Sequence, residues 1–312
     1  MIAPASSYHF TEDLCIITCF FNSEDYITKR KNFEMFIEPI RAARLNYLVV
    51  ECSFKNTFSI PGPNVVRVRS KSILWQKERL LNKALEFVPP HCTKIAWVDC
   101  DLLFANPDWA LDTSLLLDSY PVVQLFDLAI RLPRGRRSYD GVGECYPGFA
   151  SVYAREPNLL LEGQFARHGH TGFAWAARKD LLLCHGLYDA CIAGSGDHFM
   201  AHAFCGDWSS TCIRRIMEQN KPYYDHFVNW CERMYSDVRA RLVNVPGVVL
   251  HLWHGEMTDR RYSDRNYALN ELRFNPFTDL KLSRHGAWEI QRTDRALHRW
   301  AKEYFQSRKE DG

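Results

Sequence analysis

The chain has 312 residues, of which 46% are hydrophobic and 24% are charged, and 39 Lys and Arg against 37 Asp and Glu leave a formal net charge of +2. This composition excludes a disordered, fibrous or coiled-coil protein, and the near-neutral charge gives no global attraction to nucleic acid or to an anionic membrane. The longest mainly apolar run, residues 14–21 with a single threonine, is far shorter than the roughly 20 residues of a membrane span, and residues 1–12 lack the pattern of a signal peptide. We therefore expect a cytoplasmic protein without a transmembrane segment.

The eleven cysteines are an odd number, and no two of them form a Cys-x-x-Cys pair. Several of them stand inside apolar runs, where a thiol behaves as a small hydrophobic group. The pattern therefore favours a reducing compartment over a disulfide framework or a zinc ribbon.

Strands and helices alternate over the first hundred residues. Apolar β-branched runs predict strands, and apolar residues at helical spacing predict helices. The predicted strands are 14–20, 46–52, 65–68 and 93–98, and the predicted helices are 25–43 and 75–88. This order predicts an α/β fold with a doubly wound, mainly parallel sheet and helices on both faces, whose ligands lie beyond the carboxyl ends of the strands.

The pattern weakens after Val123. Residues 131–137 form a basic stretch before a glycine-rich segment, which suits either a mobile lid or an ordinary solvated loop. Later elements are predicted as strands at 170–177 and 247–252 and as helices at 197–205, 209–219, 223–235 and 293–307. The last of these carries an apolar stripe that suits packing on the domain or, alternatively, peripheral contact with a membrane or a partner.

Two carboxylates, Asp99 and Asp101, follow the apolar strand at residues 93–98. A carboxylate pair at a strand end is well placed to hold a divalent cation against a phosphate. The alternative is an aspartate that caps the turn.

Two histidines, His251 and His254, lie three residues apart after the predicted strand at 247–252, close enough to share one ion. Together with Asp101 they would form an oxygen-and-imidazole site for Mn²⁺ or a similar ion. The alternative is a pair of histidines satisfied by the core or by solvent.

Small residues surround a third acidic position, Asp197, which follows Gly194-Ser195-Gly196 at a predicted helix start. Such a loop lets backbone approach a ligand, and Asp197 is a candidate general base. The alternative is an aspartate that caps the helix. Trp175 and Trp253 are candidate sugar-stacking platforms, although most tryptophans belong to the core.

The order of these motifs along residues 14–260 resembles that of a known enzyme family. The matching segments are Phe20-Phe21-Asn22, Arg79-Leu80-Leu81-Asn82, Asp99-Cys100-Asp101, and residues 171–176, 185–187, 195–198 and 251–254. In this order they resemble the motifs of GT-A fold glycosyltransferases, nearest to the β-1,4-galactosyltransferase family.

The resemblance implies a metal-dependent, inverting transfer of a hexose from a nucleotide-diphosphate sugar, expected to be a UDP-sugar, to a hydroxyl of a glycan, lipid-linked or protein acceptor. It implies Mn²⁺ or Mg²⁺ on Asp101, His251 and His254, and Asp197 as the catalytic base. The donor nucleotide would lie near Phe21, Asn22, Arg79, Asp99 and Trp175.

The resemblance also implies a domain organisation. Residues 1–272 would form the transferase domain, with a donor half at about 14–125 and an acceptor half at about 150–260. Residues 273–312 would be a C-terminal extension with an amphipathic helix.

This sequence departs from the family pattern at several positions. Gly196 stands where the family has a glutamate that grips the acceptor, residues 193–195 replace a Trp-Gly-Trp run, and His251 replaces a methionine ligand. Two other functions stay open: a metal-dependent sugar-nucleotide hydrolase, and a non-catalytic module that binds sugar nucleotides or glycans.

Overall fold

The computed structural model describes residues 1–55, 57–160, 167–217, 219–261, 264–293 and 295–312. Its strands are β1 (Leu14–Phe21), β2 (Asn46–Ser53), β3 (Val65–Arg69), β4 (Lys94–Val98), β5 (Leu102–Phe104), β6 (Val122–Gln124), β7 (Leu128–Arg131), β8 (Glu144–Pro147), β9 (Ala174–Arg178), β10 (Leu242–Asn244), β11 (Val248–His251), β12 (Leu280–Leu282) and β13 (Trp288–Ile290).

Its helices are α1 (Ile27–Ala42), α2 (Lys77–Ala84), α3 (Trp109–Leu117), α4 (Phe149–Arg155), α5 (Lys179–His185), α6 (Gly196–Phe204), α7 (Thr211–Met217), α8 (Lys221–Val238), α9 (Asp264–Glu271), α10 (Pro276–Asp279) and α11 (Ala296–Gln306). Within the described ranges, no helix combines the length and the apolarity that a bilayer crossing requires.

A seven-stranded sheet in the order β10-β6-β9-β4-β1-β2-β3 forms the centre of the fold. Strand β1 pairs in parallel with β2 and β4, and β2 pairs in parallel with β3. Strand β9 is antiparallel to both β4 and β6. The prediction of a mainly parallel α/β sheet is therefore confirmed.

Strand β1 shows why both faces of this sheet are covered. Cys15 and Ile17 point into one hydrophobic cluster, which also receives side chains of α2, α6, α8 and α11. Leu14 and Ile16 point into a second cluster, which receives α1 and α3. Because successive side chains of a strand alternate between faces, a continuously apolar strand requires a helical layer on each side.

A smaller sheet, in the order β5-β11-β7-β8, continues from the carboxyl end of β4. Strand β5 follows β4 after a three-residue turn and pairs antiparallel to β11, with His251 opposite Leu102. This pairing places the end of β11 beside the turn that carries Asp99 and Asp101. Strands β12 and β13 form a separate two-stranded sheet.

The C-terminal segment packs on the same core as the rest of the chain. Leu297, Ala301, Tyr304 and Phe305 of α11 are buried in the cluster that α2 and α6 share. The apolar stripe predicted in this helix is thus covered by the domain. Beyond the helix, Asp311 accepts hydrogen bonds from the backbone N–H groups of Ile27 and Thr28 at the start of α1, at 3.0 and 2.7 Å.

Several predicted elements differ in their bounds. The predicted helix 75–88 is α2 followed by a 3-10 turn at Leu85–Phe87, and the predicted strand 170–177 begins only at Ala174. Between residues 100 and 160 the structure has strands of three or four residues, such as β6 and β7. Such strands are too short to show a clear periodicity in the sequence.

Candidate active site

A cavity of about 600 Å³ opens at the carboxyl ends of β1 and β4. Its wall includes three carboxylates, Asp99, Asp101 and Asp197, and both predicted metal-binding histidines, His251 and His254. Seven basic side chains also line it among the described residues: Lys29, Lys77, Arg131, Arg215, Arg260, Arg265 and Arg308. An excess of cationic groups in a concave site favours an anionic ligand such as a diphosphate.

Asp101, His251 and His254 come together at one end of this cavity, each offering one ligand atom within 4.8 Å of the others. The Oδ2 atom of Asp101 lies 3.0 Å from Nε2 of His254 and 3.8 Å from Nε2 of His251. The two histidine Nε2 atoms lie 3.2 Å apart. The backbone holds this arrangement, because the N–H of Leu252 donates to the carbonyl of Asp101 at 2.9 Å.

The environment of the triad keeps its ligand atoms in the forms that bind a cation. Burial lowers the pKa of His251 well below its usual value, which keeps the imidazole neutral. Burial opposes the charge of Asp101, but the hydrogen bond with His254 and the nearby guanidinium of Arg260 hold the pKa of Asp101 well below its usual range.

The residues present fit a divalent cation. The Oδ1 atom of Asp101 is buried and has no hydrogen-bond partner within the described part of the chain. A buried, ionised oxygen without a donor is costly unless a cation binds it. One carboxylate and two imidazoles suit Mn²⁺ and related ions, and the cavity side leaves room for oxygen ligands from a substrate.

Phe173 holds the plane of the His251 ring. The two rings stack with centroids 4.6 Å apart, and His170 stacks on the other side of Phe173 at 3.9 Å. Phe173 has a φ of 81°, a region that bulky residues rarely adopt. Strained backbone of this kind is concentrated at ligand sites, and here it brings an aromatic ring against a candidate metal ligand.

Lys77 joins two carboxylates in the wall of the same cavity. Its Nζ atom lies 2.6 Å from Oδ1 of Asp99 and 2.6 Å from Oδ2 of Asp197. Burial lowers the pKa of Lys77, but Asp197, Asp99 and Glu78 outweigh that effect and hold it well above its usual value. Burial raises the pKa of Asp99 to about 7. The ammonium therefore stays charged and neutralises this acidic group.

Asp197 lies in the first turn of α6 with its carboxylate in the cavity wall. Lys77 binds Oδ2, while Oδ1 is buried and finds no hydrogen-bond partner in the part of the chain that the structure describes. A Cβ atom at Gly172 would lie 3.3 Å from Oδ2 of Asp197, so the absent side chain at 172 makes room for this carboxylate.

The carboxyl group of Glu78 takes the space beside Gly196. A Cβ atom at position 196 would lie 2.3 Å from Oε1 of Glu78, so this side chain would have to move to admit it. Glu78 is buried, and burial raises its pKa to about 8. The departure from the family pattern at Gly196 is thus accompanied by a second, buried carboxyl group that the sequence reasoning did not identify.

The predicted nucleotide-binding residues divide into two sets. Phe21 and Asp99 line the cavity, and the ring of Phe21 packs edge-on against Trp75 with centroids 5.3 Å apart. Asn22 instead closes the turn after β1, where its amide donates to the carbonyl of Tyr26 and accepts from the N–H of Tyr26.

Arg79 and Trp175 are directed elsewhere. Arg79 pairs with Asp189 at 3.0 Å and borders a different pocket, since two residues along a helix turn a side chain by about 200° from Lys77. Trp175 is buried within the core and donates its indole N–H to the carbonyl of Thr171 at 2.9 Å. Both side chains are already engaged by the protein itself.

The predicted basic loop contributes to the cavity through its first residue. Arg131 lines the cavity and lies 3.2 Å from Nε2 of His170. Arg134 donates to the carbonyl of Asp311 at 2.6 Å and lies over the ring of Trp253. These contacts tie the loop to the C-terminal segment.

Several cavity residues were not identified from the sequence. Lys29, Arg260, Arg265 and Arg308 come from four separate segments, and only the folded chain brings them together. Glu310 is buried beside two of the cavity residues, with Oε2 3.4 Å from Nζ of Lys29 and 3.8 Å from Nδ1 of His254. No local motif marks such residues, because their proximity arises from long-range packing.

No protein-family model matches this chain, and no curated protein matches it. Among solved structures, the chain is similar to Drosophila β1,4-galactosyltransferase 7 in a complex with manganese, UDP-Gal and xylobiose. The identity is 10%, the match covers 94% of this chain and 98% of that chain, and the TM-score is 0.41.

It is also similar to glucosyl-3-phosphoglycerate synthase from Mycobacterium tuberculosis. In the complex with phosphoglyceric acid the identity is 13%, with 86% of this chain and 87% of that chain covered and a TM-score of 0.40. In the complex with Mn²⁺, UDP and phosphoglyceric acid the identity is 14%, the coverage 86% and 81%, and the TM-score 0.39. The similarity to these proteins is one of fold.

Proposed function

We propose that this protein is a metal-dependent, inverting glycosyltransferase that moves a hexose from a UDP-sugar to a hydroxyl of a glycan, lipid-linked or protein acceptor. The observation that carries the proposal is the Asp101, His251 and His254 triad in the wall of a basic cavity of about 600 Å³, with a carboxylate oxygen that no described residue satisfies.

The triad would hold Mn²⁺ or Mg²⁺, and such an ion neutralises the charge of a departing diphosphate. Asp101 supplies an ionised oxygen, and burial keeps the His251 ring neutral and able to bind. Phe173 and the Leu252 N–H hold the triad in place, so the ligand atoms need little rearrangement when an ion binds.

The basic side chains of the cavity would bind the donor diphosphate. Arg260 lies 3.0 Å from Nε2 of His254, and Lys29, Arg265 and Arg308 approach the same cavity from other segments. Cationic groups at a developing negative charge stabilise the transition state more than the ground state. Phe21 would lie beside the nucleotide, at the end of β1.

Asp197 would accept the proton of the acceptor hydroxyl. As the hydroxyl oxygen bonds to the anomeric carbon, the bond to the diphosphate breaks and the proton passes to Oδ1, the oxygen that Lys77 does not hold. Lys77 fixes the orientation of the carboxylate. A single displacement of this kind inverts the anomeric configuration.

Binding of UDP tests the donor site. We expect calorimetry to detect UDP binding that requires Mn²⁺ and that is lost in Asp101→Ala and His254→Ala. His226→Ala is the matched control, because His226 borders the separate pocket beside Arg79. UDP binding that needs no ion, or that survives in both triad variants, would contradict the donor site.

The Asp197→Asn variant tests turnover, assayed with a panel of UDP-sugars and acceptors. We expect UDP binding to be kept and transfer to fall by about 10²–10⁴. Asp180→Asn, which changes an aspartate in the first turn of α5, is the matched control and should leave transfer unchanged. Release of UDP at the same rate without any acceptor would indicate a hydrolase, and full transfer by Asp197→Asn would exclude this base.

A further inference from the structure

A second cluster of metal-ligating side chains lies beside the cavity, apart from the Asp101 triad. His168, His198, His202 and Cys212 each offer one ligand atom, and the four atoms lie within 4.8 Å of one another. His168 precedes β9, and Cys212 lies in the first turn of α7. His198 and His202 are four residues apart on α6 and therefore share one face of that helix.

Hydrogen bonds orient the rings of this cluster. The Nδ1 atom of His202 lies 2.6 Å from Oδ2 of Asp207, and Nδ1 of His168 lies 3.0 Å from the carbonyl of Gly169. Asp207 is itself held by the N–H of Ser210 at 2.9 Å. A histidine that donates from one nitrogen to a carboxylate or carbonyl presents the other nitrogen as the ligand, which is the usual outer shell of a metal site.

The Nε2 atom of His202 supports this assignment. It is fully buried and has no hydrogen-bond partner among the residues that the structure describes. A buried imidazole nitrogen without a partner is costly, and a metal ion at the centre of the cluster would satisfy it.

The donor set and its burial indicate the metal. Three imidazoles and one thiolate are the ligands of four-coordinate Zn²⁺, and around such an ion they would lie about 3.3–3.6 Å apart. All four side chains are buried, as in a closed structural site without a position for substrate. One thiolate leaves a zinc ion with one excess positive charge, and the Asp207 carboxylate behind His202 offsets it.

We propose that His168, His198, His202 and Cys212 bind one structural Zn²⁺, independently of the ion on Asp101. This site links α6, α7 and the segment before β9. His198 follows Asp197 directly, and both His168 and His198 contribute to the cavity wall. The zinc ion thus holds the start of α6, and with it Asp197, against the rest of the cavity.

Cobalt replacement distinguishes the two metal sites, because only the proposed zinc site contains a thiolate. The full-length protein should retain about one zinc per chain after dialysis. When Co²⁺ replaces this zinc, the protein should show thiolate-to-cobalt charge-transfer absorption. The band should persist in Asp101→Ala and in Cys231→Ser, which changes another fully buried cysteine. It should disappear in Cys212→Ser, and His202→Gln should lose its zinc.

Absence of bound zinc and of the charge-transfer band in the unmodified protein would overturn the proposal, as would a band that persists in Cys212→Ser. If Cys212→Ser does not fold, the Asp101→Ala protein is sufficient to test the proposed zinc site. Zn²⁺ should raise its melting temperature and Co²⁺ should give the band, whereas failure of both would refute the site.

Discussion

The Nζ atom of Lys77 lies 2.6 Å from the Oδ2 atom of Asp197, a residue 120 positions further along the chain. Lys77 begins α2 and Asp197 stands in the first turn of α6, so this contact joins two helices at the cavity. The same ammonium also neutralises Asp99 at 2.6 Å. Both the stability of the cavity and the proposed role of Asp197 as a base therefore depend on one buried cation.

Lys77→Met should lower the free energy of unfolding by about 3–5 kcal/mol, because it leaves buried carboxylates without their counter-ion. Urea unfolding measures the loss. Lys83→Met is the matched control on the same helix and should cost less than about 1 kcal/mol, since Lys83 pairs with the exposed Glu86. A loss of less than about 1 kcal/mol in Lys77→Met would show that the carboxylates find other partners.

Gly196→Ala should destabilise the protein by about 1–3 kcal/mol, because the new Cβ would overlap the carboxyl group of Glu78. The same substitution in a Glu78→Ala background should cost less, by a coupling energy of about 0.5–3 kcal/mol. Thermal or urea unfolding of the unmodified protein, the two single variants and the double variant gives this coupling energy. Additive losses would mean that the contact with Glu78 is not the source of the strain.

The stability of the protein should depend on pH through Glu78. Burial raises the pKa of Glu78 from 4.5 to about 8, so between these values the folded chain binds a proton that the unfolded chain has lost. The contribution of Glu78 to the free energy of unfolding is fully present below about pH 4.5 and is lost as the pH rises through about 8. The part of the stability that Glu78 supplies should therefore fall across this window.

Urea unfolding from pH 5 to pH 8 measures this dependence, and Glu78→Gln should flatten it. Glu86→Gln, which changes an exposed glutamate close to α2, should keep the slope of the unmodified protein. Identical slopes in Glu78→Gln and the unmodified protein would exclude Glu78 as the titrating group.

Glu310→Gln should weaken Mn²⁺ binding by about 10–100-fold, because the Glu310 carboxylate lies 3.8 Å from Nδ1 of the candidate ligand His254 and its negative charge makes that ring a better ligand for a cation. Calorimetry with Mn²⁺ measures the affinity. Asp311→Asn is the control in the neighbouring position: it weakens the contact with the start of α1 and should cost about 0.5–2 kcal/mol of stability, with Mn²⁺ binding unchanged. Equal Mn²⁺ affinities in both variants would show that Glu310 does not contribute to Mn²⁺ binding.

Local patterns in the sequence were sufficient for much of the fold. The apolar run at residues 14–21 predicted a buried strand, and α8 and α11 followed from helical spacing of apolar residues. Short strands such as β6, with three residues, did not show in the sequence, because their pairing with β9 and β10 stabilises them.

The candidate site also has features that the sequence predicts and features that depend on packing. Asp101, His251 and His254 were named from strand ends and a family resemblance, and the pairing of β5 with β11 brings them together. Arg79 was named from the same resemblance, yet the direction of its side chain depends on where α2 packs, and the structure turns it toward Asp189.

Local periodicity and turn chemistry account for the alternation of strands and helices and for the polar residues at the strand ends, and both can be read from the chain without its fold. Long-range packing is needed to bring Lys77 to Asp197, to place Glu78 beside Gly196, and to bring His168 to His198, His202 and Cys212. These contacts join distant segments, and their geometry depends on how whole helices pack on the sheet.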